Sequence, residues 1–395
     1  MRKLWYMGLE PYQGRYTLQL QDWNERVFRQ RGINYEIVLG DTLGNDQSIV
    51  TGQVLDAHGR TYYSLSQMMR LVQLMKQGQV TSDDVVYFED MYTTGLDALG
   101  YIMDQVDPQY RPRIFVRCLA QTIDPDDFLH VWNMTDWMRH YEASTNAIVK
   151  KSGGAVLASS EEMVAHMRVA GWDVPIYNIS GLAFGKKEVQ GRVPEIKPFN
   201  SRSMLIGFAA RWDQEKQPGF FMNLAETWHN RFPSMPVSFA IYSGGPLRSN
   251  NPAYVERARE LESKGQLHIY ENLKKDSYYE LLNDTRILFN CALQDWVSNT
   301  VSEADALGCN VLFPAYRSFP ETFANDHTRM YVPWNVEDAI TKIHYLLADA
   351  HPNQGRLSDW TDGCIDRILD IVEGRGEQWS RNSKNYRDHL AVSKY

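Results

Sequence analysis

Cysteine is scarce in this chain: four residues in 395, at Cys118, Cys291, Cys309 and Cys364. They form no CxxC pair and join no Cys/His cluster, which leaves neither a zinc-ligand spacing nor a disulfide framework. Buried free thiols in a reducing compartment are the expectation. Positive charge is also short, with 41 Lys and Arg against 49 Asp and Glu and a formal charge of −8. General electrostatic capture of nucleic acid is thereby disfavoured, although a local basic cleft is still allowed. No run of about 18 apolar residues exists, and Met1-Arg2-Lys3 leads into only a short apolar stretch, so neither a membrane span nor a signal peptide is expected. The expected location is the cytoplasm. The glycines near the start, Gly8 and Gly14, do not make a GxGxxG fingerprint.

What is present is an ordinary globular composition, 43% hydrophobic and 23% charged, in a chain longer than one hydrophobic core usually organises. Two domains are expected. Leu4 to Met7 reads as a strand, 17–31 as a helix with Leu18, Trp23, Val27 and Phe28 for burial, and Tyr35 to Leu39 as a second strand. Residues 41–61 show no strong periodicity. A helix carrying Leu65, Met68, Leu71 and Met75 follows, its methionines being core rather than a cofactor box. Strands are predicted at 84–88, 113–118, 155–159 and 175–179, with a helix from Ser160. The Lys-, Pro- and Gly-rich segment from Lys186 to Ser201 reads as a boundary. Beyond it strands at 204–210, 237–243, 267–270, 287–292 and 311–313 alternate with helices at 218–230, 253–263, 276–284 and 301–307, and helices near 336–349 and 359–373 follow. Such alternation in both halves implies α/β architecture, two parallel-sheet domains facing a cleft, with ligands at the carboxyl ends of the strands.

Two stretches carry chemistry. In Gly207–Gly219 (GFAARWDQEKQPG), Arg211 and Lys216 stand five residues apart at a strand-to-helix turn. A guanidinium fork and a mobile ammonium there can clamp a diphosphate, helped by the partial positive charge of the helix start. A solvated turn is the plainer alternative. In Gln294–Val311 (QDWVSNTVSEADALGCNV), Glu303 falls near a helix start, where a carboxylate can accept ribose hydroxyls or serve as a cap or surface acid. Asp124, Asp126 and Asp127 follow the strand at 113–118. They read as a metal-binding DxD or as the capped start of a helix, and Asp-Pro followed by acids and an apolar run favours the cap.

The run ARWDQEK, then Ser243-Gly244-Gly245-Pro246, then DWVSNTVSEADALGCNV resembles the donor half of retaining GT-B glycosyltransferases. Their motif is two carboxylates eight residues apart, here Asp295 and Glu303, with Asp where Glu is usual. The opening residues Gly8-Leu9-Glu10, Gly14, Thr17, Leu18 and Gln21-Asp22-Trp23 are similar to the T-even phage glucosyltransferase type that decorates 5-hydroxymethylcytosine in DNA. One departure stands out: those enzymes have His-Asp-His where this chain has Ala120-Gln121-Thr122-Ile123-Asp124, so a different sugar, such as a pentose, is one possible consequence.

The resemblance implies two Rossmann-like domains: an acceptor-side domain over 1–188, a linker over 189–203, a nucleotide-sugar domain over 204–375, and a C-terminal helix over 376–395 returning to the first domain, with Trp379 and Tyr386 in it. It implies Arg211, Lys216 and Asp295 as catalytic groups. Donor contacts would come from Gly14, Arg15, Gly244, Gly245, Asn299, Thr300 and Glu303, and acceptor-side contacts from Gln121 and Asp124. The donor would be a nucleoside-diphosphate sugar, a UDP-sugar foremost, with no metal. The acceptor would be double-stranded DNA containing 5-hydroxymethylcytosine, with lipopolysaccharide or another glycan as the rival. For DNA, a patch of Arg15, Arg60, Lys186, Lys187, Arg192 and Arg202 is the candidate. A nucleotide-sugar epimerase and a non-catalytic binding scaffold of the same fold are the alternatives from other classes.

Overall fold

A computed structural model describes residues 2–11, 16–43, 57–131, 133–293, 295, 297–322 and 326–376. The described residues divide into two compact units, one holding those up to Ala183 together with 364–376, the other holding Phe184–Gly363.

The first unit is a six-stranded sheet built from β1 (Leu4–Met7), β2 (Tyr35–Ile37), β3 (Val85–Phe88), β4 (Arg113–Arg117), β5 (Ala155–Ala158) and β6 (Ile176–Asn178). Its order is β2-β1-β3-β4-β5-β6, and every pairing is parallel. All four residues of β1, β3 and β5 are buried, as a sheet covered by helices on both faces requires. The helices are α1 (Tyr16–Gln30), α2 (Ala57–Lys76), α3 (Ala98–Gln105), α4 (Phe128–Val131), α5 (Thr135–Ser152) and α6 (Glu161–Val169). Ser160 caps α6 by accepting from the amide of Met163 at 3.1 Å, as its position before the apolar stripe predicts.

The second unit repeats the plan. It contains α7 (Lys186–Gln190), β7 (Ser203–Phe208), α8 (Pro218–Arg231), β8 (Ser238–Tyr242), α9 (Pro252–Ser263), β9 (His268–Tyr270), α10 (Lys275–Asp284), β10 (Thr285–Phe289), α11 (Asn299–Ala306), β11 (Asn310–Pro314), α12 (Phe319–Thr322), β12 (Met330–Tyr331), α13 (Val336–Ala348) and α14 (Arg356–Asp362). The sheet order is β12-β11-β10-β7-β8-β9, again parallel throughout. The order reverses between β7 and β10, and the crevice at the carboxyl ends of such a strand pair is where ligands bind in open α/β sheets. Both chemistry-bearing stretches follow these two strands.

Several sequence expectations change. Part of the segment read as a linker is helix α7, whose Val189 is buried within the second unit. The chain re-enters the first unit at Cys364 rather than at 376. There α15 (Cys364–Asp370) buries Cys364, Ile365, Ile368 and Leu369, and Arg31 of α1 pairs with Asp370 at 2.8 Å. The C-terminal segment Gln378–Tyr395 and most of 41–61 lie outside the described residues. Among the described residues no helix is long and apolar enough to cross a membrane. All four cysteines are free and buried, and burial pushes the Cys309 thiol up to about 12.

Gly207 lies one residue from the carboxyl end of β7, opposite Leu288 of β10. A Cβ there would stand 2.6 Å from the Tyr242 ring, whose hydroxyl shares a 2.6 Å hydrogen bond with Thr285 Oγ1. Gly207→Ala is therefore expected to displace Tyr242 and lower stability by about 1–3 kcal/mol, as overpacking in a core does. Urea unfolding measures it, and an unchanged midpoint would show that Tyr242 gives way freely.

Candidate active site

The two stretches singled out in the sequence meet at the carboxyl end of the second sheet. After β7 the chain runs through Ala209 and Ala210 to a short 3₁₀ turn over Gln214–Lys216 and then into α8, with Pro218 in its first turn. After β10 it runs through Asn290 to Ser298 before α11 starts. Lys216 Nζ reaches across to Asp295 Oδ1 at 2.8 Å. Asn290 Nδ2 donates to Asp295 Oδ2 at 3.2 Å and to Ser298 Oγ at 3.3 Å. Ser298 Oγ in turn lies 3.2 Å from Thr300 Oγ1. Between the loops is a shallow dip open to solvent, lined by Phe208, Lys216, Asn290 and Thr300, among others. Its polar lining comes from both loops and its floor from strand ends.

Arg211 sits on the same turn as Lys216 and is held by carboxylates of that turn. Its guanidinium pairs with Glu215 at 2.6 Å and lies 3.7 Å from Asp213. Both carboxylates are buried, while Arg211 is 34% exposed. Asp213 also fixes the neighbouring loop after β8, accepting from the amide of Asn250 at 2.9 Å. The Asn250 side-chain carbonyl accepts from the amide of Gln214 at 3.1 Å. Gly244 and Gly245 lie on that β8 loop. It is fastened to the segment after β9 by Leu273 N to Ser243 O at 3.0 Å and Asn272 N to Gly245 O at 3.2 Å. Sequence reasoning weighed only the two cations of this turn. Asp213 and Glu215 stand between them in the same motif and bring the local carboxylates, with Asp295, to three against two cations.

Glu303 lies in α11, 3% exposed, and is held by α10. Lys275 Nζ and the Tyr279 hydroxyl both reach Oε1 at 2.8 Å, and the Tyr278 hydroxyl donates to Oε2 at 2.9 Å. A carboxylate offers about four acceptor positions, so Glu303 cannot take two ribose hydroxyls without releasing one of these donors. Burial and the Glu303 charge both push the Tyr278 hydroxyl well above the usual tyrosine range, which keeps it a donor. Lys275 additionally lies over the rings of Tyr278 and Tyr279 at 4.9 and 4.7 Å. These three partners went unnoticed in the sequence. Their i, i+3, i+4 spacing places them on one helix face, but nothing in it marks a carboxylate opposite.

The remaining candidates fall elsewhere. Asn299 begins α11, half-buried. Gln121 and Asp124 belong to the first unit and are 2% and 1% exposed. Gln121 Nε2 donates to Met163 O at 2.8 Å, and Asp124 Oδ1 accepts from the amide of Asp126 at 3.1 Å. Both serve the turn before α4, so their expected contact with an acceptor does not fit their burial. Asp127 accepts from the amides of Leu129 and Gln121, each at 3.1 Å. That is the capping geometry anticipated for this acidic segment, and among the described residues no group of three or more metal-ligating side chains is assembled. Gly14 and Arg15 lie outside the described residues. The basic patch is largely spent: Lys186 pairs with Asp359 at 2.6 Å, Arg192 with Asp276 at 3.3 Å and Arg60 with Asp90. Arg202 is buried and donates to the carbonyls of Lys197, Thr285 and Leu307.

Lys216 is 9% exposed at its side chain and Asp295 21%. Asp295→Ala removes the carboxylate that Lys216 Nζ holds at 2.8 Å and is expected to cost about 1–3 kcal/mol. Chemical denaturation reads this directly. A loss within a few tenths of a kcal/mol would mean that water replaces the carboxylate.

No family model matches the sequence, and no curated protein matches it. Solved structures do match by shape. A sucrose-phosphate synthase from Thermosynechococcus elongatus superposes with a TM-score of 0.61 at 12% identity, covering 100% of both chains. An α,α-trehalose-phosphate synthase from Burkholderia xenovorans, in complex with glucose-6-phosphate, gives 0.61 at 11% identity over 94% of this chain and 100% of its own. A trehalose-6-phosphate enzyme from E. coli bound with UDP-2-fluoro glucose gives 0.60 at 10% identity over 98% and 99%. At such identities the likeness is one of architecture, and with two parallel six-stranded sheets the chain has the GT-B fold of these glycosyltransferases.

Proposed function

We propose that the protein is a retaining glycosyltransferase that moves a sugar from a nucleoside diphosphate, UDP foremost, to a hydroxyl acceptor. The observation that carries this is the convergence of Lys216 and Asp295, 2.8 Å apart, over a recess at the strand-order reversal of the second sheet. The fold supports it, since the E. coli structure of similar shape is bound with UDP-2-fluoro glucose.

Transfer breaks the bond between the sugar and the diphosphate, and the leaving phosphate gains negative charge as that bond lengthens. Cations fixed against it stabilise the transition state more than the ground state. Lys216 and Arg211 are the cations in position. Each is held by a carboxylate, so an arriving diphosphate takes Lys216 from Asp295 and Arg211 from Glu215. Asp295, once released, lies beside the sugar end of the donor. Glu303 takes one ribose hydroxyl at its less occupied Oε2. Reaction on one face of the sugar, with the leaving phosphate accepting the acceptor's proton, gives retention without a pair of carboxylates working as acid and nucleophile. Incubated with donor alone, an epimerase of this fold would yield a new sugar isomer, a transferase would hydrolyse the donor slowly and a binding scaffold would do neither, so that assay separates the three.

For the acceptor, the opening residues shared with the T-even phage enzymes support 5-hydroxymethylcytosine in duplex DNA. Such a base has to leave the stack to reach a catalytic group. The ion pairing of Lys186, Arg192 and Arg60 and the burial of Arg202 favour the second reading, a hydroxyl of a glycan, because DNA binding draws on cations that neutralise phosphates. Mass spectrometry of hydroxymethylated DNA and of glycan acceptors, each incubated with a panel of nucleotide sugars, decides between them. If DNA is the acceptor, binding falls steeply as salt rises.

Arg211→Ala and Lys216→Ala are each expected to lower turnover by roughly 10²-fold or more with the fold intact, the scale of losing one oxyanion donor. Near-normal turnover in a folded Lys216→Ala protein would sink the assignment. Glu303→Gln converts a charge-assisted hydrogen bond into a neutral one and should weaken nucleotide binding by about 1–2 kcal/mol. Calorimetry with UDP checks it.

A further inference from the structure

Glu303 is presented by α11 three residues after Thr300, which lines the dip beside Lys216. Its carboxylate is already crowded by protein donors. Lys275 Nζ and the Tyr279 hydroxyl both end on Oε1, each at 2.8 Å, and the Tyr278 hydroxyl ends on Oε2 at 2.9 Å. An ionised carboxylate has about two acceptor positions on each oxygen. Oε1 is therefore full, and Oε2 keeps one position.

The resident donors are braced against giving way. Lys275 lies over the rings of Tyr278 and Tyr279 at 4.9 and 4.7 Å, so pulling it off Oε1 forfeits two cation–π contacts along with the ion pair. Tyr279 is fully buried, and a buried hydroxyl that loses a charged acceptor pays a desolvation cost. The two tyrosine rings pack on each other at 5.3 Å. Tyr278 also meets the ring of Tyr242 at 6.5 Å, and the Tyr242 hydroxyl is itself tied to Thr285 Oγ1 at 2.6 Å. A sugar hydroxyl arriving at Glu303 finds one vacant acceptor, not two.

We propose that this site grips a single hydroxyl of the nucleoside sugar, the 3′-hydroxyl, and therefore takes 2′-deoxyribonucleoside diphosphates as readily as ribonucleoside diphosphates. The proposal rests on the nucleotide-sugar reading of the site and narrows its donor class. A carboxylate with both oxygens open would hold the cis 2′- and 3′-hydroxyls together, and removing the 2′-hydroxyl would then lose a charge-assisted hydrogen bond, on the order of tenfold or more in affinity. Here the 2′-hydroxyl has no such bond to lose. The choice of the 3′-hydroxyl follows from reach. With the diphosphate at Lys216, Glu303 stands only about 4.5 Å along the helix beyond Thr300. Of the two sugar carbons, C3′ is bonded directly to the carbon that carries the 5′ arm, and C2′ lies one bond further away.

Calorimetry with UDP, 2′-deoxy-UDP and 3′-deoxy-UDP tests this on the intact protein. 2′-Deoxy-UDP should bind within threefold of UDP, and 3′-deoxy-UDP at least tenfold more weakly. Tyr278→Phe vacates the second position on Oε2, so the preference for UDP over 2′-deoxy-UDP should rise at least fivefold in that variant. A merely structural loss would weaken both ligands alike and leave their ratio where it was. Thermal unfolding confirms that the variant is folded. A tenfold preference for UDP over 2′-deoxy-UDP in the intact protein overturns the proposal, as does 3′-deoxy-UDP binding like UDP, or an unchanged ratio in folded Tyr278→Phe. Failure of UDP itself to bind is a different result: it removes the nucleotide site and this proposal with it.

Discussion

The contact between Lys216 and Asp295 ties together the two loops on which the second unit's chemistry rests. One loop leaves β7 and the other leaves β10, neighbours in the sheet, and the two residues stand 79 apart in the chain. Parallel pairing brings the carboxyl ends of both strands to the same edge, where the loops also meet directly: the amide of Leu293 donates to the carbonyl of Glu215 at 2.9 Å. Around this pair the other polar groups arrange themselves: Asn290 orients Asp295, Ser298 takes the second proton of that amide, and Thr300 faces the recess from the first turn of α11.

Charge at this edge is nearly balanced internally rather than left open for an anion. Arg211 and Lys216 each already face a carboxylate, and Glu303 is saturated on one oxygen. A site of this kind separates selectivity from affinity. A lone phosphate has to compete with resident carboxylates for each cation, whereas a ligand that engages both cations and a ribose hydroxyl together replaces several contacts at once. The resident carboxylates also explain how a buried turn can carry an ammonium and a guanidinium in the unliganded protein, where an unpaired buried charge would be costly.

The strand pattern was legible in the sequence because parallel strands buried on both faces are continuous apolar runs, as at Val85–Phe88 and Ala155–Ala158. The helices flanking them were legible where an apolar stripe was clean. Helix α5 was missed because its buried stripe includes Glu142 and Thr145. Glu142 is buried with its oxygens accepting from Tyr92 and Thr122, a pairing that spacing alone does not disclose. Strand β12 is two residues long, too short to show a period. At the candidate site the two stretches could be read as strand, loop and helix, and Lys216 and Asp295 could be named. Their mutual contact could not, nor could the donors of α10 around Glu303, since both depend on how separate segments are brought alongside. Gln121 shows the opposite limit: its place in the chain invited a ligand role, whereas its amide is used to bind the carbonyl of Met163.

The return of the chain at Cys364 bears on how the protein is made. Arg367 of α15 donates to the carbonyls of Ile179 and Ser180 at 2.8 Å each, closing the end of the first unit's last strand, and Arg31 waits on α1 for Asp370. On the ribosome, all of the second unit is synthesised between the sixth strand and the helix that completes the first. The earlier half therefore emerges with an apolar surface that only the last part of the chain can cover, and the later half has the chance to close around its own contiguous sequence first. Domain order in the gene and order of completion in the molecule run opposite to each other.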